Sequence, residues 1–391
     1  MTTATIDTNA AVDGSRNREQ TLVEWAATFG PNLAEHARRH DEEGSWVQPA
    51  FDHLRDSGYL ALAVPTEFGG MGATIRQVAM VQRELAHHCA STALATSMHQ
   101  HVTAFTGWRH RRGLPGAEAT LRRIVDEHIV LVSTGGADFT HPRGEAVRVE
   151  GGYRVSGRKV FASQSPAGDV MSTMFAYDDP ERGRRVLNMA VPFADPGVTV
   201  CDNWNTMGMR GTASNDVIIE DVFVPDARVL ADRPHGVVDG PLQVIVSIAL
   251  PIISAVYLGV AESAAAAAIA SVGSRRTDPL VQRQVGAMTT RLRVAGWALD
   301  GALAAVGDDP APSMETVAAV MAAKREIGAA GVEVCDLAME IAGGGAYFKG
   351  SVIERAYRDI RGLKLHPFKP EEILLHAGRL ALGEPTETLS V

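Results

Sequence analysis

The chain has 391 residues, 46% of them hydrophobic, which is enough for two or three domains around a sizeable buried core. Its 37 Lys and Arg stand against 46 Asp and Glu, a formal net charge of −9, and no basic cluster is dense enough to mark a nucleic-acid or anionic-membrane surface. Three scattered cysteines, Cys89, Cys201 and Cys335, form neither a CxxC pair nor a disulfide framework, so a reducing cytoplasm and small-molecule chemistry are expected.

Residues 1–18 are polar and include Asp7 and Asp13; they lack the apolar stretch of a signal peptide and the acid-poor composition of a transit peptide, and read as a disordered lead-in. No apolar run is expected to reach the roughly 20 residues of a membrane helix. Over 19–127 the apolar residues repeat at helical spacing, as in Ile75, Val78, Ala79 and Leu85, with an FGGMG turn at 68–72, which predicts an N-terminal α-helical domain. Over 128–238 the texture changes to short alternating β-branched runs, such as AVRVEGGYRVSGRKVF and DVIIEDVFVP, separated by turn residues; this predicts a middle β domain. Over 239–391 helical spacing returns, with an alanine-rich stretch at 262–270 and long patterns on either side of GDDPAP at 307–312, predicting an α-helical bundle. No internal repeat and no metal-ligand cluster is read.

Four segments carry a resemblance. Residues 338–368, AMEIAGGGAYFKGSVIERAYRDIRGLKLHPF, hold Gly343 and Gly344 followed by an ERxxRDxR run at Glu354, Arg355, Arg358, Asp359 and Arg361. This resembles the last flavin-contacting segment of the acyl-CoA dehydrogenase superfamily. LVSTGGADFT at 131–140 is similar to that family's Thr-Glu-Pro-Gly-Ala-Gly-Ser-Asp loop, which implies that Ser133 or Thr134 reaches the flavin. GRKVFASQSPAGD at 157–169 resembles its Gly-x-Lys-x-Trp-Ile-Thr-Asn strand, which implies that Phe161 packs on the ring and Ser163 bonds its N5 edge. Taken singly, Phe161 reads as a core residue and Ser163 as a turn former. MGMRGTASNDVIIEDVFVPDARVL at 207–230 matches the family's final β-domain motif, with Arg210 and Gly211 mostly structural.

The resemblance implies an α+β, acyl-CoA dehydrogenase-like fold: an N-terminal α-helical domain, a central β-barrel-like domain and a C-terminal four-helix bundle. It also implies FAD and a homotetramer, in which Arg276 and the run Gly343, Gly344 and Gly345 of one subunit complete the flavin site of its neighbour. The family's Phe-Gly after that arginine is missing here, and Glu340 stands in place of a glutamine. A carboxylate there repels phosphate unless Arg276 or Lys349 offsets it.

Acyl-CoA dehydrogenation takes an α-proton with a carboxylate base while a hydride leaves for the flavin. The family's glutamate position falls here on Pro367 or Phe368, and the alternative position on an early C-terminal helix holds Ala249 or Leu250. Glu371 and Glu372 follow Pro370, where favourable charge at a helix N-terminus is the bland explanation; Glu372 is kept as a displaced base. A monooxygenase branch of the superfamily resembles this chain in carrying a histidine after RDxR, which makes His366 the first catalytic candidate. His99 in TSMHQHV is the second, each with a structural role as its bland alternative. An ordinary imidazole pKa of about 6.5 gives His366 both protonation states near neutrality.

The expected function is flavin-dependent α,β-dehydrogenation of an acyl-CoA thioester that passes electrons to an acceptor protein. The alternative is a monooxygenase that takes reduced FMN or FADH2 from a flavin reductase and hydroxylates nitrogen, sulfur or carbon. A catalytically silent flavin- or acyl-binding protein is a distant third.

Overall fold

Apolar side chains on every face of one helix fix the centre of the molecule. The computed structural model describes residues 8–134 and 136–388. Within it α7 (Gly240–Ser271) starts at Asp239, whose carboxylate accepts the Leu242 N–H at 3.2 Å, and residues 246–261 are buried without interruption. A helix apolar all round must be enclosed on all sides. Helices α4, α5, α8, α9 and α10 enclose it. The sequence reading that no apolar run reaches membrane length is corrected here: α7 is long and apolar enough, with a mean hydropathy of 2.4 over its best window, and 94% of that window is buried inside the protein. It is the core helix of two domains.

The N-terminal part comprises α1 (Thr8–Ala27), α2 (Gly30–Glu43), α3 (Gln48–Asp56), α4 (Ile75–His88), α5 (Ala90–Arg111) and α6 (Ala117–Asp126). Since α1 begins at Thr8, residues 8–18 are helix rather than lead-in, in keeping with the good helix formers Ala and Arg among them; residues 1–7 lie outside the described residues. A capping box starts α4: Thr74 Oγ1 accepts the Gln77 N–H at 3.2 Å while Gln77 Oε1 accepts the Thr74 N–H at 3.1 Å. The C-terminal part adds α8 (Pro279–Val306), α9 (Met314–Ala342), α10 (Val352–Asp359) and α11 (Pro370–Leu382) to α7.

Eight strands lie between: β1 (Leu131–Ser133), β2 (Glu145–Val149), β3 (Gly152–Ala162), β4 (Val170–Asp179), β5 (Gly183–Pro192), β6 (Val198–Val200), β7 (Asn215–Pro225) and β8 (Val229–Pro234). They hydrogen-bond in the order β6-β7-β3-β2-β4-β5-β8, and β1 pairs with β4 in parallel. The β3/β7 register slips between Lys159 and Ala162, and Phe161 and Gln164 both take φ of 57°, in the left-handed region. Just before the slip, fully buried Lys159 pairs with Asp138 at 2.8 Å and donates to the Arg143 and Met174 carbonyls. This one ammonium ties the loop after β1 to β3 and β4.

Two contacts lock the parts together. Arg358 on α10 donates to Asp41 of α2 (2.9 Å), to Glu354 (2.7 and 2.9 Å) and to the Met207 carbonyl (2.9 Å), while the buried Asp359 carboxylate accepts the Met209 N–H. His99 on α5 joins the N-terminal helices to the sheet: Nδ1 accepts the Leu131 N–H at 3.0 Å and Nε2 donates to the Leu60 carbonyl at 2.9 Å. With both nitrogens committed to backbone, His99 is a neutral structural group. The expectation that it is catalytic is therefore corrected.

Arg358→Ala is expected to lower the unfolding free energy by about 3–5 kcal/mol, because Asp41 is left charged and buried without its partner. Arg358→Lys should recover only part of this, since an ammonium cannot engage two carboxylates bidentately; urea denaturation of the three proteins is the check. Burial pushes the His99 pKa down to about 4 from 6.5. A base with a lowered folded pKa contributes fully above its unfolded value and loses that contribution as pH falls from about 6.5 towards 4. The stability difference between pH 7 and pH 5 should shrink by about 2 kcal/mol in His99→Gln, and an unchanged difference would contradict the neutral assignment.

Candidate active site

On the sheet side, parallel pairing of β1 with β4 sets Ser133 opposite Ser172. Ser133 lines a cleft between α5, the sheet and the start of α7, whereas Thr134 Oγ1 turns inward and donates to Thr173 Oγ1 at 2.7 Å. Ser163 is buried, and its hydroxyl shares a hydrogen bond of 2.7 Å with Ser214, which in turn contacts Thr212 at 2.7 Å. Beside it the Gln164 amide donates to the Leu131 carbonyl at 3.0 Å, linking β1 to the end of β3, while Gln164 Oε1 is buried without a partner among the described residues. Phe161 is 49% exposed, with the Trp204 ring edge-on at 5.9 Å. An exposed phenyl face, a hydroxyl chain and an unsatisfied carbonyl oxygen at the slipped end of β3 suit a flat heterocycle with polar edges. The two left-handed residues flanking Ser163 are the kind of local strain that gathers at ligand sites.

The helical side reaches the sheet through the LHPF loop. A Cβ at Gly136 would stand 1.7 Å from Pro367 Cγ, so the loop after β1 and the loop before α11 are in direct contact, and only glycine fits. One residue away, the Tyr257 phenol of α7 and His366 Nε2 are 3.0 Å apart. Burial holds the Tyr257 pKa well above 10, so its hydroxyl keeps its proton. Burial, Lys324 and His101 push the His366 pKa down to about 3. This overturns the expectation that His366 holds both protonation states near neutrality. With the phenol donating to Nε2, the proton of the neutral ring sits on Nδ1, which has no hydrogen-bond partner among the described residues.

Three further groups were not singled out in the sequence. Tyr257 is one. Lys324 on α9 is buried and donates to the His366 (3.1 Å) and Phe368 (2.8 Å) carbonyls, holding the loop in place; burial pulls its pKa down to about 8. His101 is buried with Nδ1 unsatisfied and with its pKa pushed down to about 4. Its charge is among those that lower the His366 pKa.

Glu372 is not a free base. Its carboxylate accepts the Lys369 N–H at 2.7 Å and stands 3.5 Å from the Lys369 ammonium, which holds it on the first turn of α11 and corrects its candidacy as a displaced catalytic carboxylate. Arg276 and Gly343, Gly344 and Gly345 lie exposed at one end of the helical part, near the α8 start and the α9 end; among the described residues no hydrogen bond joins them to Ser133, Phe161 or Ser163. A Cβ on any of the three glycines would meet nothing within 4 Å. Glu340 is held by Gln284 at 3.1 Å, and Lys349 by Glu354 at 2.9 Å.

Family models for the acyl-CoA dehydrogenase N-terminal, middle and C-terminal domains match residues 17–109, 133–222 and 251–369. The chain is 28% identical to amino sugar nitrososynthase DnmZ of Streptomyces peucetius, over 93% of each chain. It is 25% identical to cyclohex-1-ene-1-carbonyl-CoA dehydrogenase of Geobacter metallireducens, over 90% of this chain and 94% of that protein. Among solved structures it is similar to KijD3 in complex with FMN and dTDP-3-amino-2,3,6-trideoxy-4-keto-3-methyl-D-glucose, with a TM-score of 0.83 and 26% identity over 94% of this chain and 95% of that one. The three matched domains follow one another in the helix–sheet–helix order of the fold, and this chain, an enzyme, belongs to the acyl-CoA dehydrogenase family.

Proposed function

We propose that the chain is a flavin-dependent monooxygenase that takes reduced FMN and O2 and oxygenates a small molecule. The observation that carries the reading is the LHPF loop: where an acyl-CoA dehydrogenase needs a carboxylate, the chain presents a neutral imidazole, and the candidate glutamate, Glu372, is bound to the Lys369 N–H at the start of a helix. The nitrososynthase relative and the FMN-bound KijD3 support it, and acyl-CoA dehydrogenation is the weaker reading for want of a base.

Bound reduced flavin supplies the two electrons that reduce one oxygen atom to water while the other enters the substrate. The residues of the chain bind and orient. Phe161 provides the wall for the ring, Ser133 and Ser163 its polar edge, and Arg276 with Gly343 to Gly345 of a neighbouring subunit the phosphate end, in a homotetramer. His366 acts through its Nδ1–H as a hydrogen-bond donor whose proton is held in place by Tyr257, and Lys324 positions it. His101 offers a second imidazole nitrogen. FMN rather than FAD fits the loss of the adenosine-binding Phe-Gly and glutamine, and a separate flavin reductase is the electron source.

Purified protein is expected to be colourless, to take up reduced FMN and to consume O2; a tightly held FAD bleached anaerobically by an acyl-CoA would overturn the reading. His366→Ala should lower turnover by about two orders of magnitude and Glu372→Gln should leave it nearly unchanged. A donor role also predicts that the His366-dependent rate is flat from pH 5 to 8, whereas an inflection near 6.5 would make His366 an acid or base instead. Phe161→Ala should weaken flavin binding by roughly 2–3 kcal/mol, read by fluorescence titration; wild-type affinity in that variant would remove Phe161 from the site.

A further inference from the structure

Two guanidinium groups share the cleft between α5, the sheet and the start of α7, and neither is properly neutralised. Arg109 on α5 is only 6% exposed; it donates a single hydrogen bond, to the Pro115 carbonyl at 2.9 Å, and burial alone lowers its pKa, with no carboxylate among the described residues to raise it. Arg233 on β8 is 4% exposed. One of its amino groups donates to the Phe139 carbonyl and faces Met174 Sδ at 3.2 Å, and its Nε is buried without any hydrogen-bond partner. Its nearest carboxylate, Asp239, stands 4.0 Å away and already caps α7. The Arg233 pKa is pushed down to about 10 by burial, which the distant Asp239 carboxylate offsets only in part.

A buried cation without a partner is costly, and two in one cleft need a reason. The cleft walls supply one. Phe105 and Trp108 stack at 5.4 Å with their rings 11° from parallel, and Trp108 is fixed by its indole N–H donating to the Pro310 carbonyl at 2.8 Å. Phe139 faces them from the loop after β1, and Ser133, which the flavin reading places at the ring, also lines this cleft. The site therefore combines rigid aromatic surface with two guanidinium groups, one of which keeps a buried N–H without a hydrogen-bond partner among the described residues.

The geometry points to an anionic substrate: a ring-bearing molecule whose carboxylate or phosphate is held by Arg109 and Arg233 while its apolar part lies against Phe105, Trp108 and Phe139. The inference deepens the monooxygenase reading and rests on it for calling this ligand the substrate.

The test is calorimetric titration of the flavin-free full chain with indole-3-acetate, with its neutral analogue indole-3-acetamide, and with thymidine diphosphate. At least one anion should bind tenfold or more tightly than the amide. A preference for indole-3-acetate assigns the anion to a carboxylic acid and a preference for thymidine diphosphate assigns it to a nucleotide, both within the proposal. Arg233→Met and, since Arg233 also braces the Phe139 loop, the separate Arg109→Met should each reduce the anion preference about tenfold. Equal binding of acid and amide with no affinity for the diphosphate, or a preference untouched in both variants, overturns the inference. Reduced-FMN uptake is measured in parallel: normal uptake without anion preference sinks this inference alone, whereas anion preference without any flavin uptake sinks the monooxygenase reading and leaves the anion site standing.

Discussion

One ion-pair cluster holds the geometry on which everything else depends. Arg358 reaches from the C-terminal helices to Asp41 in the N-terminal ones and to a carbonyl of the β domain, and Asp359 takes the next backbone N–H of that same β-domain loop. Three parts of the chain, with Met207 151 positions and Asp41 317 positions before Arg358, are thus pinned at one point. Around it α7 provides the apolar mass, but apolar burial is not directional and cannot set an orientation. The directional contacts do that, and they do so within reach of the loops that form the site.

The site itself is built from loops under constraint. The loop after β1 is held from beneath by Lys159 and touched from above by Pro367, so Gly136 is caught between them. The loop before α11 is held from behind by Lys324. His366 consequently faces the site from a frame anchored on α7, α9 and the sheet. Preorganisation of this kind matters most where a neutral donor must point at one atom, because a donor that is free to turn loses much of its effect.

The fold was largely legible because periodicity reports which faces are buried, and α7 announces itself by having no polar face at all. Its length as an apolar run was underestimated because single serines and a tyrosine break the string while remaining buried. The site was legible only in part. Ser133 and Thr134 are both hydroxyls, and only pairing with β4 separates the one that faces the cleft from the one that turns into the sheet. His99 and His101 sit two positions apart on a helix and so project on nearly opposite sides; nothing in TSMHQHV says which side meets the β1 backbone. Lys324, Arg109 and Arg233 were missed because each stands close to another charged residue, Arg325, Arg111 and Asp232 respectively, and reads as part of a solvated surface until its burial is known. Glu372 shows the reverse: the Pro-Glu-Glu opening of α11 already carried its capping role in the sequence.

The enclosure of α7 bears on how the chain is made. When residue 271 leaves the ribosome, α4 and α5 are already available to one side of the helix, but α9, which covers another, begins only at Met314 and α10 only at Val352. For that interval a segment as apolar as a membrane span has part of its circumference bare in water. The nascent protein is therefore most vulnerable to self-association, and most dependent on chaperone shielding, over a stretch of roughly 80–100 residues of synthesis.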